Sequence, residues 1–160
     1  MKYLLDSNTF ITAKNGPYGF ECVPGFWRWL SARNADKILF SCSRIRKELL
    51  NGEGDHLKNW AKSNGGFFLP EDAAVTASIA TIAEWVQSND QFSDAAKQEF
   101  FRGADLTLIA HAHAHQFHIV TFEKDAPKAK SKIFIPTVGN AFGVRSLDLY
   151  QLVTELKASF

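Results

Sequence analysis

Four acidic residues stand where a strand has just ended or where a helix is about to pass beneath one. Asp6 follows the apolar run Tyr3-Leu4-Leu5, and Glu48 lies in the helical pattern behind residues 37–41. Asp105 opens the helix that leads to residues 118–121, and Glu123 comes two residues after Thr121, with Asp125 beyond it. In open parallel sheets, binding sites form outside the carboxyl ends of the strands, so acids placed there face one crevice. Carboxylates gathered in one crevice repel one another, and a divalent cation relieves the repulsion. Oxygen-only donors favour Mg²⁺ or Mn²⁺. Each acid also has an ordinary use. Asp6 suits an Asx-turn, Glu48 a helical pair with Arg44, Asp105 a helix N-terminus, and Glu123 a surface turn. Yet Glu48 shares a helix face with Ile45 and Leu49, which points it toward the packed side. Asp105 shares its stripe with Ile109, Ala112 and Gln116.

The elements that must position these acids are short strands alternating with helices. Residues 3–5, 37–41, 67–69, 118–121 and 132–135 read as strands, bounded by turn-forming residues. Pro24 suits the first turn of a helix running to about residue 33. Ser41 or Ser43 suits the cap of a helix that Asn51-Gly52 ends, and Asp55 the cap of another reaching Asn64. Val75, Ile79, Ile82 and Val86 form one apolar helical stripe within residues 72–88. Ser93 opens a helix closed near Gly103, a second runs from about residue 104 to 117, and Asp148 opens the last. The alternation predicts one α/β domain over residues 1–160, a three-layer α/β/α sandwich on a mostly parallel sheet of about five strands.

Composition narrows the class. With 46% hydrophobic and 22% charged residues, the 160-residue chain is neither disordered, collagen-like nor a disulfide scaffold. Cys22 and Cys42 have no CxxC spacing and read as reduced buried thiols. No stretch approaches the roughly 18 apolar residues of a membrane span, and Asp6 interrupts the first apolar run long before a signal-peptide core is complete. A cytoplasmic protein is the expectation. GxGxxG, GxxxxGK[ST] and GxSxG are all missing, which removes the common phosphate loops and the hydrolase elbow. The net charge of +1 hides an asymmetry. Residues 26–50 carry six cations against Asp36 and Glu48, whereas residues 71–99 carry six acids against Lys97.

Asp6-Ser7-Asn8 after an apolar strand, Glu48 in mid-chain, Asp105-Leu-Thr-Leu-Ile-Ala-His-Ala and Val120-Thr121-Phe122-Glu123 together resemble the PIN-domain nucleases. Many of those are VapC-like ribonucleases of bacterial toxin–antitoxin pairs. Tyr3 to Ile11, Ile135-Pro136 and Phe142-Gly143-Val144 look like one branch of that family. The resemblance implies a metal-dependent endoribonuclease with Asp6, Glu48 and Asp105 as core acids around Mg²⁺ or Mn²⁺. The family's fourth acid, usually Asp, falls on Glu123, with Asp125 a competitor. Asp6, Asp105 and Glu123 would be the metal ligands, and Glu48 would hold a second ion or orient water. Asn8 and Thr121 fall on supporting polar positions. RNA is the implied substrate and an antitoxin the implied partner.

Phosphodiester hydrolysis needs charge neutralised on phosphate oxygens, an activated water and help for the leaving oxygen, all of which divalent ions supply. Phosphate contacts are expected from Arg44, Arg46 and Lys47 before Glu48 and from Lys124, Lys128, Lys130 and Lys132 after Glu123. Histidines 111, 113, 115 and 118 invite a zinc reading, but no Cys lies near, and they read as a polar outer helix face. Trp27 and Trp29 point to opposite sides of their helix, so one suits an interface with an antitoxin or a second copy, or a partly exposed packing position. A scaffold with an altered acid cluster is the main rival reading. A haloacid-dehalogenase-type phosphatase needs a second Asp where Asn8 stands.

Overall fold

The computed structural model describes residues 1–52 and 54–160. The chain runs through β1 (Tyr3–Leu5), α1 (Ser7–Asn15), α2 (Pro24–Ala35), β2 (Leu39–Cys42), α3 (Ser43–Asn51), α4 (Asp55–Ser63), a 3₁₀ turn (Gly65–Phe67) and β3 (Phe68–Leu69). It continues through α5 (Ala73–Gln87), α6 (Asp94–Arg102), α7 (Asp105–His115), β4 (His118–Val120), α8 (Ile135–Ala141), β5 (Ser146–Leu147) and α9 (Leu149–Glu155).

The strands form one all-parallel sheet in the order β3-β2-β1-β4-β5. Leu4, Leu5, Leu39, Ile119 and Val120 have no exposed surface, as expected where both faces of a parallel sheet are covered. From β1 the chain steps outward to β2 and β3, then returns across the sheet to β4 and on to β5. Right-handed crossovers in opposite directions send the two sets of helices to opposite faces. The result is a three-layer α/β/α sandwich.

On one side α7 lies against β2 and β4, with α5 packed along it and α8 beside it. On the other, Phe10 of α1 meets Trp60 of α4 and Phe67 and Phe68 at ring-centroid distances of 5.5, 5.9 and 6.2 Å. Trp27 is buried against Phe20 and Trp60 and donates its indole N–H to the Tyr18 carbonyl at 2.8 Å. Trp29, on the far side of the same turn, is half-buried against Phe26 and Phe160.

Several local expectations are corrected. Residues 132–135 do not form a strand; the fifth strand is Ser146–Leu147, and Ile135 begins α8. Pro136 explains the difference. It has no N–H for a strand ladder, whereas the first helical turn tolerates that loss and matches its fixed φ. Helix α1 starts at Ser7, directly after β1, in place of an Asx-turn; Asp6 is extended (φ −73°, ψ 154°) and makes no side-chain capping bond. Neither Ser41 nor Ser43 caps α3, since Ser41 lies in β2 and donates to the Leu5 carbonyl at 2.6 Å, and Cys42 holds the cap position. The cap position of α4 falls on Gly54, not Asp55. Cys42 is buried, but Cys22 is exposed; both are free thiols. Among the described residues, no helix is long and apolar enough to cross a membrane.

Phe10 is 1% exposed at the centre of its cluster. Phe10→Ala should therefore cost about 3–5 kcal/mol of stability. Asp148→Ala, which removes the capping box of α9 and an exposed ion pair with Lys124, should cost about 1 kcal/mol. Urea unfolding of the two variants measures both, and equal losses would contradict this account of the core.

Candidate functional site

The register Leu5↔Val120 places the ends of β1 and β4 side by side, and the ladder continues one residue further, with the Asp6 N–H donating to the Val120 carbonyl at 3.0 Å. That bond sets Asp6 beside Thr121. Asp6 is 1% exposed; its Oδ2 accepts the Thr121 hydroxyl at 3.0 Å and its Oδ1 the Ser7 hydroxyl at 3.4 Å. Thr121 is anchored in turn by its own N–H, which donates to Leu147 of β5 at 2.9 Å. Thr9 ties α1 to the same seam by donating its hydroxyl to the Val120 carbonyl at 2.9 Å. Burial pushes the Asp6 carboxyl up to about 6; the Thr121 and Ser7 hydrogen bonds oppose the rise, and the Glu123 charge adds to it.

Asp105 enters the crevice from the first turn of α7. Burial, first, and then the charges of Asp6, Glu123 and Glu48 together push its carboxyl up to about 7, against the opposing pull of the Lys132 ammonium. Glu48 is exposed, contrary to the expected packed orientation. Ile45 and Leu49 are buried, and Glu48, about 60° around the helix from Ile45, falls on the edge of their stripe. From that rim its charge still acts on Asp105.

Glu123 reaches the cluster through a backbone clamp. Its N–H donates to the Thr121 hydroxyl at 3.1 Å, and its Oε2 accepts the Ile135 N–H, at the start of α8, at 2.7 Å. Its Oε1 lies 3.6 Å from Lys132 Nζ, which also stands 4.9 Å over the Phe134 ring. Asp125 is occupied elsewhere, accepting the Thr137 hydroxyl at 2.8 Å and the Asn140 amide at 3.1 Å. A cavity of about 200 Å³ opens beside Thr121 and Glu123. The structure thus brings Asp6, Asp105, Glu123 and Glu48 within electrostatic reach of one another. The roles of Lys132 and Ile135 were not readable from a pattern that took residues 132–135 as a strand; Pro136, which suits a first helical turn, is the signal that could have found them.

The other predicted residues divide. Asn8 is exposed on the first turn of α1, and Ser7 takes the position next to Asp6 instead. Arg44 donates to the Arg102 carbonyl at 3.0 Å, and Arg46 to the Ala61 and Lys62 carbonyls at 3.1 and 3.2 Å, so both tie helices together. Lys47, Lys128 and Lys130 are exposed, and Lys124 pairs with Asp148 at 3.6 Å. The histidines do not share an outer face. His111 is buried, His113 meets Ser78 at 2.7 Å, His115 meets Asp72 at 2.7 Å, and His118 lies in β4 against Tyr3.

The sequence pattern described as a domain of unknown function, DUF4411, matches residues 3–160, a span that includes all four acids. The chain belongs to the DUF4411 family. No curated protein and no solved structure matches it.

In this DUF4411 chain the acid cluster fits a hard divalent cation in kind. The donors are carboxylate and hydroxyl oxygens, and the mutual repulsion that raises Asp105 is what a cation would relieve. Among the described residues, no three His, Cys, Asp or Glu side chains already surround one point, and Glu123 is held by Ile135 and Lys132. Asp6, Asp105 and Glu123 are the residues that would hold the ion.

A raised carboxyl pKa means that the folded state binds the proton more tightly than the unfolded state. Stability is therefore lost as pH rises from the unfolded value near 3.8 through the folded values of about 6 and 7. In chelator, Asp6→Asn and Asp105→Asn should melt above the wild type at pH 7.5, and the difference should vanish by about pH 4. Thermal melts across that range measure it; variants that melt lower at pH 7.5 would show that the charges are not strained.

Proposed function

We propose that this chain is a metal-dependent endoribonuclease of the PIN kind, acting in the cytoplasm as the toxin of a toxin–antitoxin pair. The observation that carries the reading is the convergence of Asp6, Asp105, Glu123 and Glu48 at the carboxyl ends of β1 and β4, on either side of the point where the chain reverses its direction across the sheet. In α/β sheets that crevice is where ligands bind. Bound Mg²⁺ or Mn²⁺ would neutralise phosphate charge and lower the pKa of a water. Asp6 supplies a carboxylate whose position is fixed by Thr121 and the β1–β4 seam. Asp105 and Glu123 supply the facing oxygens, and exposed Glu48 stands at the rim, where it can orient water. Exposed Lys47, Lys128 and Lys130 supply cations for the RNA backbone. An antitoxin would cover this crevice.

The scaffold reading has one observation in its favour: Lys132 already stands as a cation against Glu123. Cleavage of mixed RNA in Mn²⁺, with growth on induced expression followed in parallel, separates the two. The nuclease reading expects Asp6→Asn to remain folded, to bind RNA, to lose cleavage and to relieve growth arrest. Wild type that neither cuts RNA nor arrests growth, or Asp6→Asn that cuts as fast as wild type, would overturn it.

A further inference from the structure

His111 is 1% exposed, and neither of its ring nitrogens has a hydrogen-bond partner. A neutral imidazole carries one donor and one acceptor, and burying both unpaired is costly. The ring borders a cavity of about 380 Å³ that His115, Asp72 and Lys2 also line. His111 and His115 are four residues apart on α7 and therefore project from the same side of it. His115 Nε2 lies 2.7 Å from Asp72 Oδ2, and both side chains are partly exposed, at 39% and 54%. The cavity lies toward the carboxyl end of α7. His111 is six residues along from Asp105, about 9 Å up the helix axis from the acid crevice.

The charges around the cavity select the sign of its ligand. Asp72 and Glu71 both act on His111, whereas Lys2 is the one cation among the lining residues. Burial lowers the His111 pKa and so favours the neutral ring, the form that offers a lone pair to a metal. Two imidazoles at i and i+4 with a carboxylate are the donor set of a borderline ion such as Zn²⁺, in contrast to the oxygen donors of the acid crevice.

We infer that His111 and His115, with Asp72 as third donor, form a second metal site, one that takes Zn²⁺ or a similar borderline divalent ion. The contact between His115 and Asp72 is its closed form. A tetrahedral ion between an imidazole nitrogen and a carboxylate oxygen needs them about 3.3 Å apart. Opening the present 2.7 Å contact by about 0.6 Å moves the His115 ring against Asp72, whose other oxygen caps α5 by accepting the Val75 N–H at 2.9 Å. The ion then takes the place between them and gives one of the two unpartnered His111 nitrogens a partner.

The test is calorimetric titration of the untagged chain with Zn²⁺, for wild type, His115→Ala, His111→Gln and Asp6→Asn, with histidine ring signals followed by NMR. The site predicts a Zn²⁺-binding step that weakens at least tenfold in His115→Ala and His111→Gln, persists in Asp6→Asn and shifts the ring signals of His111 and His115. His115 is partly exposed, so its variant tests the site even if His111→Gln does not fold. Absence of Zn²⁺ binding, binding lost only in Asp6→Asn, or a wild-type titration by folded His115→Ala would overturn the inference. Binding of inorganic phosphate at these histidines in place of Zn²⁺ would do the same.

Discussion

A carboxylate buried at the seam between two neighbouring strands is the constraint around which this fold is arranged. Asp6 cannot retreat into solvent, because its backbone is the last rung of the β1–β4 ladder and its side chain is 1% exposed. Taking such a group out of water is costly unless hydrogen bonds hold it. Thr121 answers that need, and Thr121 is itself fixed by β5. The sheet order follows from the same requirement. The chain goes out through β2 and β3 and then returns to lay β4 on the other side of β1, which sets residues 6 and 121 next to each other.

The cluster is a balance between crowded acids and local neutralisation. Asp6 and Asp105 are pushed toward protonation by burial and by their neighbours, while Lys132 works in the opposite direction. Glutamate at position 123 is suited to its surroundings. Its longer side chain spans from the Thr121 corner to the Ile135 N–H, a donor that a helix start leaves unsatisfied. One carboxylate thereby joins the end of β4 to the beginning of α8 and still lends its charge to the crevice.

The α/β alternation was legible because buried parallel strands are apolar runs and the helices carry clear signals; Ser93 and Asp148 each cap their helix through a side-chain bond. Local pattern failed where two structures compete for the same residues. Ile133-Phe134-Ile135 is apolar enough for a strand, and only Pro136 marks it as a helix entry. Ser146-Leu147 is too short to announce a strand and exists because β4 offers it an edge. The acids were legible as strand-end residues, and the structure gathers them. What spacing could not show was orientation. Glu48 lies at the margin of its helix stripe, and Arg46 is drawn off to the carbonyls at the end of α4. His111 shows the same limit from the other side, since its place in a dense run of histidines gave no sign that it would be buried without a partner.

The contact between Asp6 and Thr121 spans 115 positions in the chain. During synthesis β1 is therefore left without one of its two neighbours until β4 has followed. A nascent or truncated chain that ends before β4 carries Asp6, Glu48 and Asp105, but it has no seam to hold them and no Glu123 to face them. The crevice comes into being only once β4 and residue 123 have been made. Fragments that stop short of residue 123 are therefore bystanders, because they lack both the seam and the acid that closes it.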